Sequence, residues 1–163
     1  MARRIAVAVT AMVVMAGGVA PGAAADPVAP QPDSACSATL TGARTQAKDG
    51  TTFLECVNAA GSYRWQPLTG PLPPSDRWLS YGPALTLHGQ GRRNPEILSG
   101  HWIAQPQDPL GTCSAEQSAV VSAGEVGPPQ TSTGRSGQAI EFVVLPVVFT
   151  ISLTGNCLWE RRD

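Results

Sequence analysis

The sequence has few charged side chains and no surplus of positive charge. Charged residues make up 14% of the 163 residues, and eleven basic residues face twelve acidic ones. If Arg3 and Arg4 belong to a leader that is removed, nine basic residues remain against the twelve acidic ones, a net charge of −3. A protein that binds nucleic acid carries a clustered basic face. The sequence therefore predicts no nucleic-acid partner.

Long helical patterns, internal repeats and long apolar runs are also missing. The 17 glycines and 15 prolines are spread along the chain and interrupt any extended helical periodicity. The longest apolar stretch, over 5–19, is shorter than the roughly 20 residues that cross a bilayer as a helix. These absences exclude a coiled coil, a polytopic membrane protein and a large multidomain enzyme.

Residues 1–25 predict a cleaved secretory signal. Two arginines precede the apolar stretch over 5–19, and three small residues ending at Ala25 form a cleavage site. Retention of the same segment as an N-terminal anchor is the alternative. The first cysteine, Cys36, lies too far beyond Ala25 for a lipid anchor. We therefore expect a secreted or cell-envelope protein with no stable membrane span after cleavage.

The four cysteines predict two disulfides. None lies in a C-x-x-C pair, which disfavours zinc and redox sites, and an even number in an exported chain favours disulfides. Three pairings are possible. We favour Cys36–Cys56 with Cys113–Cys157 because each then closes a short loop, although spacing alone does not exclude the others. A catalytic free thiol is a further alternative.

The composition divides the mature chain into four segments. Five prolines within 66–83 argue against a central strand there, because proline lacks the N–H that a strand ladder requires. The predicted segments are a disordered lead-in over 26–34, a disulfide-closed hairpin module over 35–68, a Pro-rich strap or linker over 66–83, and a β-domain over 84–163.

Alternating apolar and polar residues predict strands along most of the chain. The hairpin module contains candidate strands over 51–57 and 62–68, and the β-domain contains 84–88, 100–105, 114–122, two strands divided by Pro146 within 139–154, and a short last strand over 157–160. Residues 131–137 read as a loop, and Gly155-Asn156 as a turn. The predicted fold is all-β, a hairpin module followed by a β-sandwich or small barrel.

Two patches of sequence resemble exported actinobacterial proteins. The first comprises Cys36, Gly42, Asp49-Gly50, Cys56, Gly61 and Trp65, and it resembles a small hairpin module of such proteins. The second comprises Gly100-His101-Trp102, Cys113 and the stretch 154–159, and it is similar to mycobacterial-type secreted β-proteins in which a late Cys-x-Trp pairs with an earlier cysteine. The resemblance implies an exported β-protein of unknown function and supplies no catalytic residue.

No complete catalytic, metal or cofactor motif is present. Gly134-Arg135-Ser136-Gly137 lacks the spacing and the following helix of a hydrolase serine motif. The densest polar segment, 88–101, offers His88, Glu96 and His101 as a candidate cluster of an RNase- or esterase-like hydrolase. A small secreted ribonuclease needs a general base, a general acid and an arginine for the phosphate, and residues of these types are present. The competing interpretation is an ordinary exposed loop. We predict no catalytic residue, no metal site and no cofactor.

The leading functional hypothesis is a non-catalytic exported protein that binds a partner or belongs to the cell envelope, with the partner unknown. Trp78 is the candidate binding aromatic, because it follows a polar stretch in the Pro-rich strap, and the other tryptophans are expected in the core. The alternatives are a small hydrolase that uses 88–101, a protease inhibitor that presents Arg135 on a 124–137 loop, and a carrier of a small apolar ligand.

Overall fold

A computed structural model describes residues 27–163, and the predicted signal over 1–25 lies outside this range. The described chain is all-β, as predicted, and contains one short 3₁₀ turn at Ala38–Leu40. The strands are β1 Arg44–Gln46, β2 Phe53–Ala59, β3 Ser62–Pro67, β4 Arg77–His88, β5 Gly100–Pro106, β6 Ser114–Ser122, β7 Glu125–Val126, β8 Gln130–Thr133, β9 Ile140–Val144 and β10 Val148–Arg161.

The strands form one mixed sheet in the order β3-β2-β1-β4-β10-β5-β9. The exception to antiparallel pairing is β1 with β4, which is parallel. A second branch, β6 with β7 and β8 on its far edge, joins β10. Within residues 27–163, no helix is long and apolar enough to cross a membrane.

Strands β4 and β10 form a long antiparallel ribbon that organises the sheet. β10 pairs with β6 along its first half, over 148–154, and with β5 along its second half, over 157–161. The register between β4 and β10 shifts between Leu153 and Gly155. Side chains from both halves, Leu153 and Trp159 among them, meet in one core cluster, so the sheet curls around a single interior.

Gly155 lies at this shift for a steric reason. Its φ of +96° is a conformation that side chains disfavour. A Cβ at this position would also overlap the carbonyl oxygen of Thr112. The bend in β10 therefore depends on glycine. The prediction of a turn at Gly155-Asn156 followed by a separate last strand is wrong, because β10 runs through both residues.

The prediction that no central strand runs through 66–83 is wrong for its second half. β4 begins at Arg77 and is paired on both sides, with β1 and β10. Pro83 is tolerated because it falls where the pairing with β10 skips from Gly82 to Leu85. The missing N–H of proline therefore removes no hydrogen bond from the ladder.

Two segments predicted to be irregular pair with their neighbours. The predicted lead-in over 26–34 is ordered at its end, where Asp33 donates to the Trp65 carbonyl (2.7 Å) and Trp65 donates to the Ser34 carbonyl (2.9 Å). Pro30 is buried. The predicted loop over 131–137 includes most of β8, which pairs with β6. Both segments are ordered because the edges of β3 and β6 offer them unpaired backbone groups to bind.

Both predicted disulfides, Cys36–Cys56 and Cys113–Cys157, are present. No cysteine is free in the described chain, which excludes a free thiol there. The strands predicted at 100–105 and 114–122, the hairpin of β2 and β3, and the turn at Pro146 are confirmed. Two disulfides indicate an oxidising, extracellular environment.

The main core is built around three fully buried tryptophans, Trp78, Trp102 and Trp159. The indole N–H of Trp159 donates to the Ser80 hydroxyl (2.8 Å), and that of Trp102 donates to the Leu98 carbonyl (3.0 Å). A smaller cluster under the hairpin module comprises Ala47, Leu54, Cys56, Trp65 and Leu79.

The hairpin module is fixed to the ribbon by polar contacts from β4. The Arg77 guanidinium donates to the carbonyls of Thr39 and Thr41 and forms an ion pair with Glu160 (3.2 Å). The Thr45 hydroxyl donates to the Leu79 carbonyl (2.8 Å). The module and the β-domain therefore share one sheet.

Gln117 links β6 to β9 across the inside of the sheet. Its amide nitrogen donates to the Val143 carbonyl (2.8 Å), and its amide oxygen accepts from the Leu145 N–H (3.2 Å). The side chain thus occupies the place of a peptide group on the edge of β9. Because Gln117 is only 8% exposed, these two hydrogen bonds close the sheet beside the core.

Candidate functional site

The outer face of β5 and β9 carries a cleft of about 260 Å³. We call it the β5–β9 cleft. Its lining residues are His101, Trp102, Glu141, Phe142, Val143 and Arg162. The volume lies just below the roughly 300–1,000 Å³ of drug-sized ligand sites, so the cleft suits a ligand smaller than a typical drug.

The alternation of strand side chains sorts these residues into a floor and a rim. Trp102 and Phe142 oppose each other in the ladder, are buried and point into the core. His101 and Val143, one position away, therefore face outward and oppose each other directly. Arg162 continues the row, since its N–H donates to the His101 carbonyl (2.9 Å).

The polar groups of the cleft are not engaged with other groups of the described chain. His101, Glu141 and Arg162 are exposed. Within residues 27–163, Glu141 and Arg162 form no ion pair, and the His101 imidazole makes no hydrogen bond. The hydrogen bonds of His101 outside the ladder with β9 come from its backbone, whose N–H donates to the Asp163 carboxylate (2.8 Å) and whose carbonyl accepts from Arg162. A carboxylate, a guanidinium and an imidazole are thus available to a ligand.

The backbone under the cleft is held firmly. The Phe142 ring meets Trp159 edge to face, with centroids 5.7 Å apart. The Val143 carbonyl accepts the Gln117 hydrogen bond, and the Trp102 indole is fixed by Leu98. The rim side chains therefore project from a preorganised surface, which lowers the entropy lost when a ligand binds.

The structure does not bring the predicted cluster of His88, Glu96 and His101 together. The Glu96 carboxylate accepts from the His88 backbone N–H (2.8 Å) and lies 3.4 Å from the His88 Nδ1. The Glu96 N–H donates back to the His88 carbonyl (2.8 Å). His101 makes no hydrogen bond or ion pair with either residue. The candidate cluster is therefore not assembled, and the His88–Glu96 contacts close the loop between β4 and β5.

Trp78 is not an exposed binding residue. It is fully buried in the main core, where its ring meets Phe53 edge to face with centroids 5.7 Å apart. The prediction fails because Trp78 lies within β4 and not in a surface strap. Its neighbour Arg77 faces the opposite side, which explains the polar sequence before it.

Sequence reasoning missed Glu141 and Arg162. The alternation of side chains in β9 correctly predicts that Glu141 points away from the core. This alternation does not indicate which strand lies beside β9. Arg162 follows the last strand and reaches the cleft only because β10 pairs with β5. Glu141 and Arg162 line the same cleft as His101 only through strand pairings between segments distant in sequence.

The Asp49-Gly50 turn, singled out in the sequence, has a structural role. The Asp49 carboxylate accepts from the backbone N–H groups of Thr51 and Thr52 (2.8 Å each) and from the Thr52 hydroxyl (2.7 Å). These hydrogen bonds, the Thr52 hydroxyl first, lower the pKa of Asp49 from 3.8 to about 2. The turn orders the start of β2.

Two larger open hollows lie elsewhere on the described residues. One, of about 420 Å³, lies beside Tyr81 and Lys48. Burial, and secondarily the charge of Asp49, raises the pKa of the Tyr81 phenol, whose hydroxyl donates to the Gln46 carbonyl (2.8 Å). The other, of about 350 Å³, lies beside Val126 and Phe149. Neither brings together opposite charges as the β5–β9 cleft does.

Within the described chain, no group of three or more histidine, cysteine, aspartate or glutamate side chains is placed to hold a metal ion. Comparison with protein families, with curated proteins and with solved structures found no match for this chain.

Proposed function

We propose that this protein is exported and binds a small ligand in the extracellular space or cell envelope, without catalysing a reaction on it. The β5–β9 cleft is the proposed binding site. The observation that carries the proposal is the set of three exposed polar side chains, His101, Glu141 and Arg162, around an apolar valine on a rigid sheet. Such a combination of a few polar groups with apolar surface is typical of ligand sites.

The proposal of export is supported by the leader pattern over 1–25 together with the two disulfides. N-terminal sequencing of protein recovered from the medium or envelope of an expressing bacterium tests it. We expect the mature chain to begin at Asp26. Recovery of the intact chain in the membrane fraction would instead support a retained anchor.

The non-catalytic role is supported by the surroundings of His101. A histidine that acts as a general base is normally oriented by a hydrogen bond from its second ring nitrogen. The His101 imidazole makes no hydrogen bond within the described residues, and the cleft is open to water. These features favour ligand contact over proton transfer.

A hydrolase that uses the same cleft is the second candidate. It is favoured by one observation, that an imidazole, a carboxylate and a guanidinium line one hollow. RNase and esterase assays on the purified mature protein, with His101→Ala and Glu141→Gln beside the wild type, decide between the two. Turnover lost in both variants would establish the enzyme and refute the binding role. Absence of turnover in the wild type would remove this candidate.

A protease inhibitor is the third candidate, because the loop around Arg135 is braced. The Gly134 N–H donates to the carbonyl of disulfide-bonded Cys113 (2.9 Å), and the Ser136 hydroxyl donates to the Leu110 carbonyl (2.7 Å). The Arg135 side chain is exposed. Micromolar protein that slows trypsin, with Arg135→Ala inactive, would support it. Unchanged trypsin activity would refute it.

The hypothesis of an apolar-ligand carrier gains no support from the fold. The interior that such a carrier would need is occupied by Trp78, Trp102 and Trp159, all fully buried.

A further inference from the structure

We propose that the β5–β9 cleft binds a zwitterion, a molecule that carries an ammonium and a carboxylate group, as in a free amino acid or a short unblocked peptide. The ligand carboxylate contacts Arg162, and the ligand ammonium contacts Glu141. This inference rests on the proposed binding function and specifies its ligand.

The register of the strands sets the backbone separation between Arg162 and Glu141. Arg162, His101 and Val143 lie in a row on adjacent chains, so Arg162 and Val143 are about 10 Å apart across the sheet. Glu141 is two residues from Val143 along β9 and on the same face, a step of about 7 Å. Both charged side chains are long enough to reach the space above His101 and Val143, where a ligand of a few ångströms would lie between them.

The neighbouring charges show that Arg162 and Glu141 differ from the rest of this surface. Arg161 pairs with Asp163 (3.6 Å), and Glu160 pairs with Arg77 (3.2 Å). Within residues 27–163, Arg162 and Glu141 form no ion pair, although they line the same cleft. The cleft therefore presents separated opposite charges to solvent.

The arrangement selects against ligands of one charge and against sugars. A simple anion that contacts Arg162 is repelled by Glu141, and a simple cation is repelled by Arg162. A sugar usually stacks on an exposed aromatic face, whereas Trp102 and Phe142 bury their rings in the core. A zwitterion satisfies both charges, and its carbon chain can cover Val143, which is 42% exposed.

The test is a titration of the ¹⁵N-labelled disulfide-bonded protein at low ionic strength, because salt screens exposed charges. The probes are glycine, 4-aminobutyrate and 6-aminohexanoate, which differ in charge separation, with hexanoate and hexylamine as singly charged controls. We expect the best ω-amino acid to bind at least tenfold more tightly than either control. The inference would be overturned if none of the three ω-amino acids bound more tightly than hexanoate.

Charge-removing variants identify the contacts. Arg162→Gln should remove the advantage of 6-aminohexanoate over hexylamine, and Glu141→Gln its advantage over hexanoate. The double variant Glu141→Arg with Arg162→Glu exchanges the two charges. It should still prefer a zwitterion, which would bind with its ammonium and carboxylate ends exchanged. Glu125→Gln, at an exposed position outside the cleft, is the control. Unchanged zwitterion affinity in both single variants would overturn the inference.

A final pair of probes separates the two sources of the ligand. Alanine represents a free amino acid, and triglycine represents an unblocked peptide with more widely spaced charges. Tighter binding of alanine would identify a free amino acid as the ligand, and tighter binding of triglycine a peptide. Loss of triglycine binding when its amino group is acetylated would confirm the ammonium contact. If no zwitterion binds, this inference fails, whereas the proposed function fails separately if the wild type proves to be a hydrolase.

Discussion

Replacing Gln117 with methionine should destabilise the fold more than any other loss of a single polar group on β6. Methionine has nearly the same length but cannot form the two hydrogen bonds, one to β9 and one to the residue that follows it. The Val143 carbonyl and the Leu145 N–H would be left without their partner. Each unsatisfied group costs about 1–3 kcal/mol. Because water reaches part of this edge, we expect a total loss of about 2–4 kcal/mol in the free energy of unfolding.

Urea and thermal unfolding followed by circular dichroism measure this loss. At roughly 3 °C for each kcal/mol in a domain of this size, Tm should fall by about 6–12 °C. The matched control is Gln130→Met. Gln130 lies directly opposite Gln117 on β8, is exposed, and makes no side-chain hydrogen bond within the described residues. Its replacement should change the stability by less than about 0.5 kcal/mol.

Amide exchange gives a local readout of the same link. The Leu145 N–H should exchange faster in Gln117→Met than in the wild type, because its acceptor is gone. A variant as stable as Gln130→Met, with Leu145 still protected, would refute the argument that Gln117 closes the sheet.

Three further predictions concern the ribbon, the Asp49 turn and the second disulfide. Gly155→Ala should cost at least about 3 kcal/mol, because its positive φ and the Thr112 carbonyl both oppose a Cβ; a stability near wild type in urea unfolding would contradict this. Because the pKa of Asp49 is lowered, its contribution to the stability of the fold is complete above pH 3.8 and is lost as the pH falls through about 2. Asp49→Asn should therefore be less stable than the wild type at pH 5, and the two stabilities should converge near pH 2. Removing the Cys113–Cys157 bridge with alanine at both positions opens a loop of sequence separation 44 and should cost about 4 kcal/mol, and a loss below about 1 kcal/mol in denaturant would count against a constraining role.

Local sequence patterns identified the parts of the fold that depend on neighbouring residues. Alternation placed β2, β3, β5 and β6 close to their observed bounds. The disulfide pairing followed from choosing the shorter loops. These features need only a few consecutive residues or a short separation along the chain, and such information is present in one sequence.

The ribbon of β4 and β10 could not be predicted from such local patterns. Pro83 and Gly155 read as breaks, because proline and glycine usually end strands. They are tolerated here since each lies at the register shift between two strands that are about 70 residues apart in sequence. Only the pairing with the partner strand shows that the chain bends at these residues and that the strand continues past them. For the same reason Trp78, which appeared to lie in a surface strap, is buried.

The candidate site, like the fold, could be predicted only in part from local sequence. The sequence offered His101 as one member of a candidate polar cluster, whose other members were chosen by closeness in sequence. Those two residues, His88 and Glu96, contact each other instead. Glu141 and Arg162 reach the cleft through the pairing of β5 with β9 and β10. A candidate site formed across strands therefore required the sheet order before its members could be named.

The most direct test of this account is the position of ligand-induced shifts in the amide spectrum. Addition of the tightest-binding ω-amino acid to the disulfide-bonded protein should move the amide signals of His101, Glu141, Val143 and Arg162, with little change elsewhere. At the same ligand concentration the movement should be much smaller in Arg162→Gln. Shifts confined to another surface, or identical shifts in the wild type and in Arg162→Gln, would contradict the assignment of the β5–β9 cleft as the binding site.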